Sequence, residues 1–346
     1  MKRKILLIYT GGTIGMTKDY SDNSLRPFDF KNISQQIPEL RLIDADLQVI
    51  SFEEPLDSSD ITPRDWKKIA ETIQFNYDSF DGFIVLHGTD TMSYSAAAMS
   101  FILEGLQKPV IFTGSQLPIG DLRTDARENL ISSIHFATLV KDGQPVIREV
   151  CIYFEYKLYR ANRTTKLNAH HFDAFKSPNY PELGESGVHM YVNHQNLWHN
   201  EQQELKLQTH FSENVALLKI FPGMSDVFLE QILQTPNTKA LIIEAFGSGN
   251  IFNREKFNNL LKQKAKEGLI LIVSSQCLGG SVELGMYSAS QIFVETEALS
   301  ARDMTTETAV VKTMFLLENA KNRMDFNEKF STNLRGECST IENNFS

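Results

Sequence analysis

Three cysteines, Cys151, Cys277 and Cys338, are all that 346 residues contain. Their number is odd and their spacing wide, which excludes a disulfide framework and a zinc site built on paired cysteines. A reducing compartment suits such a chain. No apolar run approaches the roughly 20 residues of a membrane-spanning helix, so no membrane partner is expected. The opening "MKRKILLIY" starts like a secretory signal, but glycines and threonines follow where a small-residue cleavage site would stand. The expected location is cytoplasmic. Positive charge is also short: 34 Lys and Arg against 43 Asp and Glu give a formal net charge of −9. That balance argues against a broad phosphate-binding surface, and so against nucleic acid as a partner. Gly11, Gly12 and Gly15 are wrongly spaced for a dinucleotide fingerprint, and no G-x-x-x-x-G-K-[ST] phosphate loop occurs. His170 and His171 are adjacent, so on an extended chain they point apart, and no third ligand stands in register. No metal and no cofactor are expected.

What is present is an alternation of apolar runs and amphipathic segments. Lys4 to Tyr9, a stretch within "DADLQVISFEEP", "GFIVLHG" and "PVIFTGS" read as strands. "GFIVL" lacks polar alternation, as a strand covered on both faces should. Thr62 as N-cap, Pro63 at the first helical position and Asp65 in the first turn open a helix whose buried face is Trp66, Ile69, Ala70 and Ile73. Further helices are expected from about Tyr94 to Leu106 and from about Thr124 to Val140. "CIYFEY" reads as one apolar strand. Strand-helix alternation of this kind predicts an α/β fold with a parallel, doubly wound sheet. The pattern lapses in the polar stretch 193–213, within which "LKLQTHF" alternates like a strand. It resumes with the strands "VALLKIFPG", "ALIIEAF" (running into a glycine loop) and "LILIVSSQC" and the helices "SDVFLEQILQT", "REKFNNLLKQKAKEG" and "TTETAVVKTMFLLENA". The expected organisation is a larger catalytic domain over 1–192, a linker over 193–213 and a smaller α/β domain over 214–346.

In open parallel sheets, ligands bind beyond the carboxyl ends of the strands. Four of those ends carry Thr10-Gly11-Gly12-Thr13, Leu56-Asp57-Ser58-Ser59-Asp60, Gly88-Thr89-Asp90-Thr91 and Gly114-Ser115-Gln116. Each alone is ordinary turn chemistry. Together they make a rim of hydroxyls and backbone N–H groups suited to a small zwitterion or carboxylate. A threonine hydroxyl is a poor nucleophile until a base takes its proton. Thr89 and Asp90 supply a relay and an orienting carboxylate. A lysine beside them would complete a Thr-Asp-Lys set, provided burial moved it toward neutrality. By context that lysine is Lys166, which follows a polar Arg-Thr-Thr run. Read alone, Lys166 is better taken as a solvated surface charge, because the sequence by itself cannot bring it to Asp90.

The motifs "YTGGTIG" (Tyr9 to Gly15), "DSSD" (Asp57 to Asp60), "DGFIVLHGTDTM" (Asp81 to Met92), "KPVIFTGSQ" (Lys108 to Gln116) and "LYRANRTTK" (Leu158 to Lys166) together resemble the bacterial-type L-asparaginase family, most closely its cytoplasmic type I branch. "FDAFKSPN", Pro222-Gly223 and "QCLGG" extend the resemblance over nearly the whole chain. "TGGTI" and "HGTDTM" at this separation form a specific pair.

The resemblance implies hydrolysis of L-asparagine to L-aspartate and ammonia through a covalent β-aspartyl-threonine ester. Thr13 would be the nucleophile, and Thr89 the second catalytic threonine, linked through Asp90 and Lys166. Asp90 would also hold the substrate ammonium. Ser58 would meet the α-carboxylate, with Asp57 and Ser59 beside it and Ser115 on the same rim. Backbone N–H groups around Gly88 to Asp90 would receive the developing negative charge. The polar stretch Met16 to Pro27 would close over the site. Relatives offer a tyrosine from this lid. The matching position here is Leu25, and Tyr20 is the loop's tyrosine. Some relatives carry a second, regulatory asparagine site that uses an arginine where this chain has Glu244, so no such site is expected. Cys277 is expected to be a small buried residue, and His87 a packed residue behind the rim. The resemblance further implies a homodimer or homotetramer. Two other functions share the scaffold. One is the glutaminase-type, ammonia-releasing subunit of a tRNA-dependent amidotransferase, which would need a module before the first strand at Lys4. The other is a non-catalytic amino-acid sensor, which would have no use for the Thr13, Thr89, Asp90 and Lys166 set.

Overall fold

The computed structural model describes residues 2–18, 25–27, 37–200, 202 and 204–339. The chain divides into two compact units, Met1–Thr209 and His210–Ser346. The division falls within the polar stretch expected to act as linker.

The first unit is built on an eight-stranded sheet. Its strands are β1 (Arg3–Gly11), β2 (Ala45–Leu56), β3 (Gly82–Leu86), β4 (Val110–Thr113), β5 (Val150–Phe154), β6 (Lys157–Arg160), β7 (Gly184–Ser186) and β8 (Met190–Val192). The spatial order is β8-β7-β6-β5-β4-β3-β1-β2. The five strands from β2 to β5 pair in parallel. The remaining three pair antiparallel, so the expected parallel sheet carries a mixed edge. The cause lies inside "CIYFEY". Glu155 and Tyr156 take φ of 44° and 68° and turn the chain back on itself, and a two-residue connection allows only antiparallel pairing. The Glu155 N–H donates to Asn129 Oδ1 at 3.0 Å and fixes that turn.

Three helices cover this sheet: α1 (Pro63–Asn76), α2 (Met92–Ile102) and α3 (Ala126–Thr138). A reciprocal capping box between Thr62 and Asp65 opens α1, and Trp66, Ile69, Ala70 and Ile73 are its buried face, as the spacing predicts. The Trp66 indole donates to Ser95 of α2 at 2.9 Å, tying the two helices together. Leu130, Ile134 and Phe136 of α3 pack in one core with Ile5, Leu7, Ile84, Leu86 and Ile111. Helix α2 stops at Ile102 because Leu103–Glu104 pairs as a short strand with Lys206–Leu207, part of the alternating "LKLQTHF".

The second unit has four parallel strands, β9 (Val215–Lys219), β10 (Ala240–Ala245), β11 (Ile270–Ser275) and β12 (Leu299–Ser300), in sequential order. Helices α4 (Asp226–Leu233) and α5 (Glu255–Lys266) bury Leu229, Leu233, Phe257 and Leu261 against Leu241, Ile243, Leu271 and Val273. Helices α6 (Thr306–Asn319) and α7 (Arg323–Ser331) follow. Cys277, expected to be buried, is exposed. It lies in the loop just past β11, where the chain has already left the sheet. Among the described residues no helix is long and apolar enough to cross a membrane.

Candidate active site

The parallel strand order of the first unit, β2-β1-β3-β4-β5, reverses its direction of winding between β1 and β3. Crossovers leaving these two strands go to opposite sides, and a crevice opens between them. The two threonine loops occupy that place. Strand β1 runs on to Gly11, opposite Leu56, with a register shift after Tyr9. Gly11 has φ 141°, and a Cβ there would lie 2.0 Å from the Leu56 carbonyl oxygen, so only glycine fits. Thr13 begins the 3₁₀ turn Thr13–Gly15, next to Gly12, and is partly exposed.

Beyond β3, His87 is fully buried, Gly88 is buried, Thr89 is partly exposed and Asp90 is exposed. Ser58 is buried against Gly88: a Cβ on that glycine would stand 2.5 Å from Ser58 Oγ. The Thr91 hydroxyl donates to the Ser58 carbonyl at 2.6 Å and locks the "DSSD" turn to the second threonine loop. Asp57 accepts the Ser59 N–H and hydroxyl, each at 2.9 Å. Those bonds hold the exposed Asp57 carboxyl below the usual carboxylate range.

Lys166 closes the arrangement. It sits on the short strand Thr165–Lys166, paired with Phe175–Lys176. Its Nζ donates to Thr89 Oγ1 at 2.8 Å and to Asp90 Oδ1 at 2.7 Å. The lysine side chain is 16% exposed and the Asp90 side chain 67%, so the amine is sheltered while its carboxylate partner faces solvent.

The loop after β4 supplies a contact that motif reading missed. Thr89 Oγ1 donates to Gln116 Oε1 at 3.3 Å. The Gln116 amide nitrogen is taken by the carbonyls of Ala169 and His171, at 3.2 and 2.9 Å, so its oxygen is held toward Thr89. Asp125, at the start of α3, accepts the N–H groups of Gln116 and Leu117. Burial pushes its carboxyl up, against the pull of those bonds. Asn129 Nδ2 donates to the Gly114 carbonyl at 3.0 Å. The Ser115 hydroxyl donates to Leu117 O at 2.5 Å, within the loop. Sequence offered no signal for Gln116 beyond its place after Ser115, and Asp125 reads there as an ordinary residue at a helix start.

Thr89, Asp90 and Lys166 are thus joined directly. Gly12, Ser58 and Gly88 meet through their backbones and the Ser58 side chain. Tyr20 lies outside the described residues. Around it, Met16–Lys18 and Leu25–Pro27 pair antiparallel, with Lys18 opposite Leu25.

A doubly wound sheet with two polar loops packed together at its switch point, a lysine bonded to one of them, followed by a smaller parallel α/β unit, defines a class of two-unit α/β proteins with a small polar site. Within that class the chain belongs to the asparaginase family. Residues 4–198 match the family model described as "Asparaginase, N-terminal", and residues 214–330 match "Glutaminase/Asparaginase C-terminal domain". L-asparaginase 1 of Escherichia coli K12 is 38% identical over 97% of this chain and 98% of its own length. A mouse protein named 60 kDa lysophospholipase is 34% identical over 97% of this chain, which spans 62% of that protein. In structure, L-asparaginase I of Vibrio cholerae superposes with a TM-score of 0.88 at 35% identity, covering 98% of this chain and 100% of that one.

Proposed function

We propose that this chain hydrolyses the side-chain amide of L-asparagine, giving L-aspartate and ammonia. Residues 1–192 act as the catalytic domain, 193–213 as the connection and 214–346 as the smaller domain. The contact that carries the reading is Lys166 Nζ, within hydrogen-bond distance of both Thr89 Oγ1 and Asp90 Oδ1. A binding module has no need of a sheltered amine against a hydroxyl.

Thr13 is the nucleophile. Its oxygen attacks the amide carbon, and the carbonyl oxygen takes up negative charge. The N–H groups of Gly88, Thr89 and Asp90, which meet no acceptor among the described residues, are donors for that charge. Such donors are typically worth about 3–4 kcal/mol each. On collapse the proton given up by the Thr13 hydroxyl goes to the amide nitrogen, which leaves as ammonia, and a β-aspartyl ester remains on Thr13. Thr89, with Lys166 behind it, then activates water against that ester, and aspartate leaves. Asp90 pairs with the substrate ammonium, Ser58 meets the α-carboxylate, and Asp57, Ser59 and Ser115 complete the rim. Tyr20 belongs to the lid. The reaction needs neither metal nor cofactor. The protein works in the cytoplasm as a homodimer or homotetramer, without nucleic acid or membrane.

The test is ammonia release from asparagine and from glutamine by the parent protein, Thr13→Ala and Lys166→Ala. Both variants are expected to lose at least about 1,000-fold. Full rates in either would overturn the assignment. The two substrates differ by one methylene, a discrimination typically worth about 1–3 kcal/mol. Faster glutamine turnover would redirect the reading to an ammonia-releasing glutaminase.

A further inference from the structure

His87 stands directly behind the second threonine loop. It is fully buried at the end of β3, its ring tilted against Phe112 with centroids 5.8 Å apart. Its Nδ1 lies 2.6 Å from the carbonyl oxygen of Gly88. A carbonyl oxygen only accepts, so Nδ1 carries the proton. Burial lowers the imidazole pKa to about 4, so at neutral pH the ring is uncharged and Nε2 is bare. Among the described residues Nε2 has no hydrogen-bond partner.

The consequence follows from the shape of the peptide bond. Among the described residues no peptide bond is cis, so the Gly88 carbonyl and the Thr89 N–H point in opposite directions within one peptide plane. With the oxygen drawn onto the buried imidazole, the N–H is turned away from the interior, to the side on which Thr89 is partly exposed. No acceptor takes it among the described residues. A peptide preceded by glycine flips at little cost unless something holds it, and here the imidazole is the anchor.

We propose that His87 is a positioning residue: through its Nδ1–H it fixes the Gly88–Thr89 peptide so that the Thr89 N–H is presented to the oxyanion. This rests on the reading of the rim given above. His87 touches neither substrate nor nucleophile. Its effect is on the transition state, because the oxyanion exists only there, so its loss lowers kcat while KM holds.

The experiment compares His87→Leu with His87→Asn, whose side-chain amide can still donate to the Gly88 carbonyl. His87→Leu is expected to lose about 100-fold in kcat for asparagine with KM within about threefold. His87→Asn is expected to recover most of that loss. Alongside, nitrogen-15 NMR of the imidazole in the parent protein is expected to show a neutral ring protonated at Nδ1. A folded His87→Leu that keeps kcat within about twofold of the parent overturns the proposal. So does an Nε2-protonated or cationic ring, a result that stands even if His87→Leu fails to fold. Thr13→Ala run in the same assay separates the two readings. If Thr13→Ala is inactive and His87→Leu is not, only the role of His87 falls. If Thr13→Ala keeps full activity, the reading of the rim falls first.

Discussion

The backbone of Gly12 lies directly on that of Gly88, so close that a Cβ on Gly12 would stand 2.5 Å from both the Gly88 Cα and its nitrogen. Gly12 also has φ 86° and ψ 171°, a conformation essentially reserved for glycine. The contact brings the residue before Thr13 against the residue before Thr89. Gly12→Ala therefore has two effects. The strain costs stability by about 1–3 kcal/mol. To relieve the clash, one threonine loop must move from the other, and a displacement near 1 Å typically costs about 100-fold in rate. The expected outcome is a melting temperature lower by several degrees and ammonia release lower by about 100-fold. A variant with unchanged activity would show that the two loops work independently.

Gln116 gives a milder prediction. Its oxygen is the acceptor for the Thr89 hydroxyl while Lys166 donates to the same oxygen atom of Thr89. Gln116 and Lys166 therefore hold the Thr89 oxygen between them in the resting arrangement. Gln116→Leu removes the acceptor, and a neutral hydrogen bond is worth about 0.5–1.5 kcal/mol. A fall in kcat of about tenfold with little change in KM is expected from steady-state kinetics. An unchanged kcat would remove Gln116 from the account.

The rim was legible in sequence because its chemistry is local. Glycine, serine, threonine and aspartate cluster after each parallel strand, and a strand end is the one place where a doubly wound sheet exposes such residues. Lys166 was legible only as a resemblance: it reaches Thr89 across 77 positions of sequence, and nothing local marks it off from a surface lysine. Gln116 was legible as a member of a rim loop, but its bond to Thr89 and the part played by Asp125 were not, because they depend on a loop and a helix start meeting in space. The antiparallel edge was missed for a different reason. Its turn is made by Glu155 and Tyr156 in left-handed backbone, without the glycine or asparagine that normally announces a hairpin. Cys277 was misplaced because its neighbours in "VSSQC" look like strand, whereas β11 ends at Ser275.

Glu244 bears on regulation. It is the last residue but one of β10, accepts the Thr306 hydroxyl at 2.6 Å and lies 3.6 Å from Lys219 Nζ. A carboxylate in this place repels the α-carboxylate of an amino acid, where an arginine would attract it. Initial rates against asparagine concentration are accordingly expected to be hyperbolic. A clearly sigmoidal curve would mean that a second asparagine site exists despite Glu244.

The second unit carries a buried ion pair whose behaviour with pH can be worked out. Lys312 of α6 is fully buried, and its three ammonium protons meet the carbonyls of Phe330 and Thr332, at 2.9 and 2.7 Å, and the Glu337 carboxylate at 2.5 Å. Glu337 is also fully buried and accepts the N–H groups of Leu334 and Arg335. Burial alone would raise its pKa, but the Lys312 charge and these bonds outweigh it, and the carboxyl sits below its ordinary value. A depressed folded-state pKa means stability that is complete above the unfolded value, about 4.3, and is lost as pH falls through the folded one. Removing one partner leaves an uncompensated charge, so Lys312→Met is expected to cost about 3–5 kcal/mol at neutral pH. Lys312→Met with Glu337→Leu should cost less, because no lone charge remains. In Lys312→Met, Glu337 gains by taking up a proton, so the stability gap to the parent should narrow on acidification. Urea unfolding of the three proteins near pH 7 and near pH 4 checks this, and a gap that stays constant with pH would mean that Glu337 is not held ionised by Lys312.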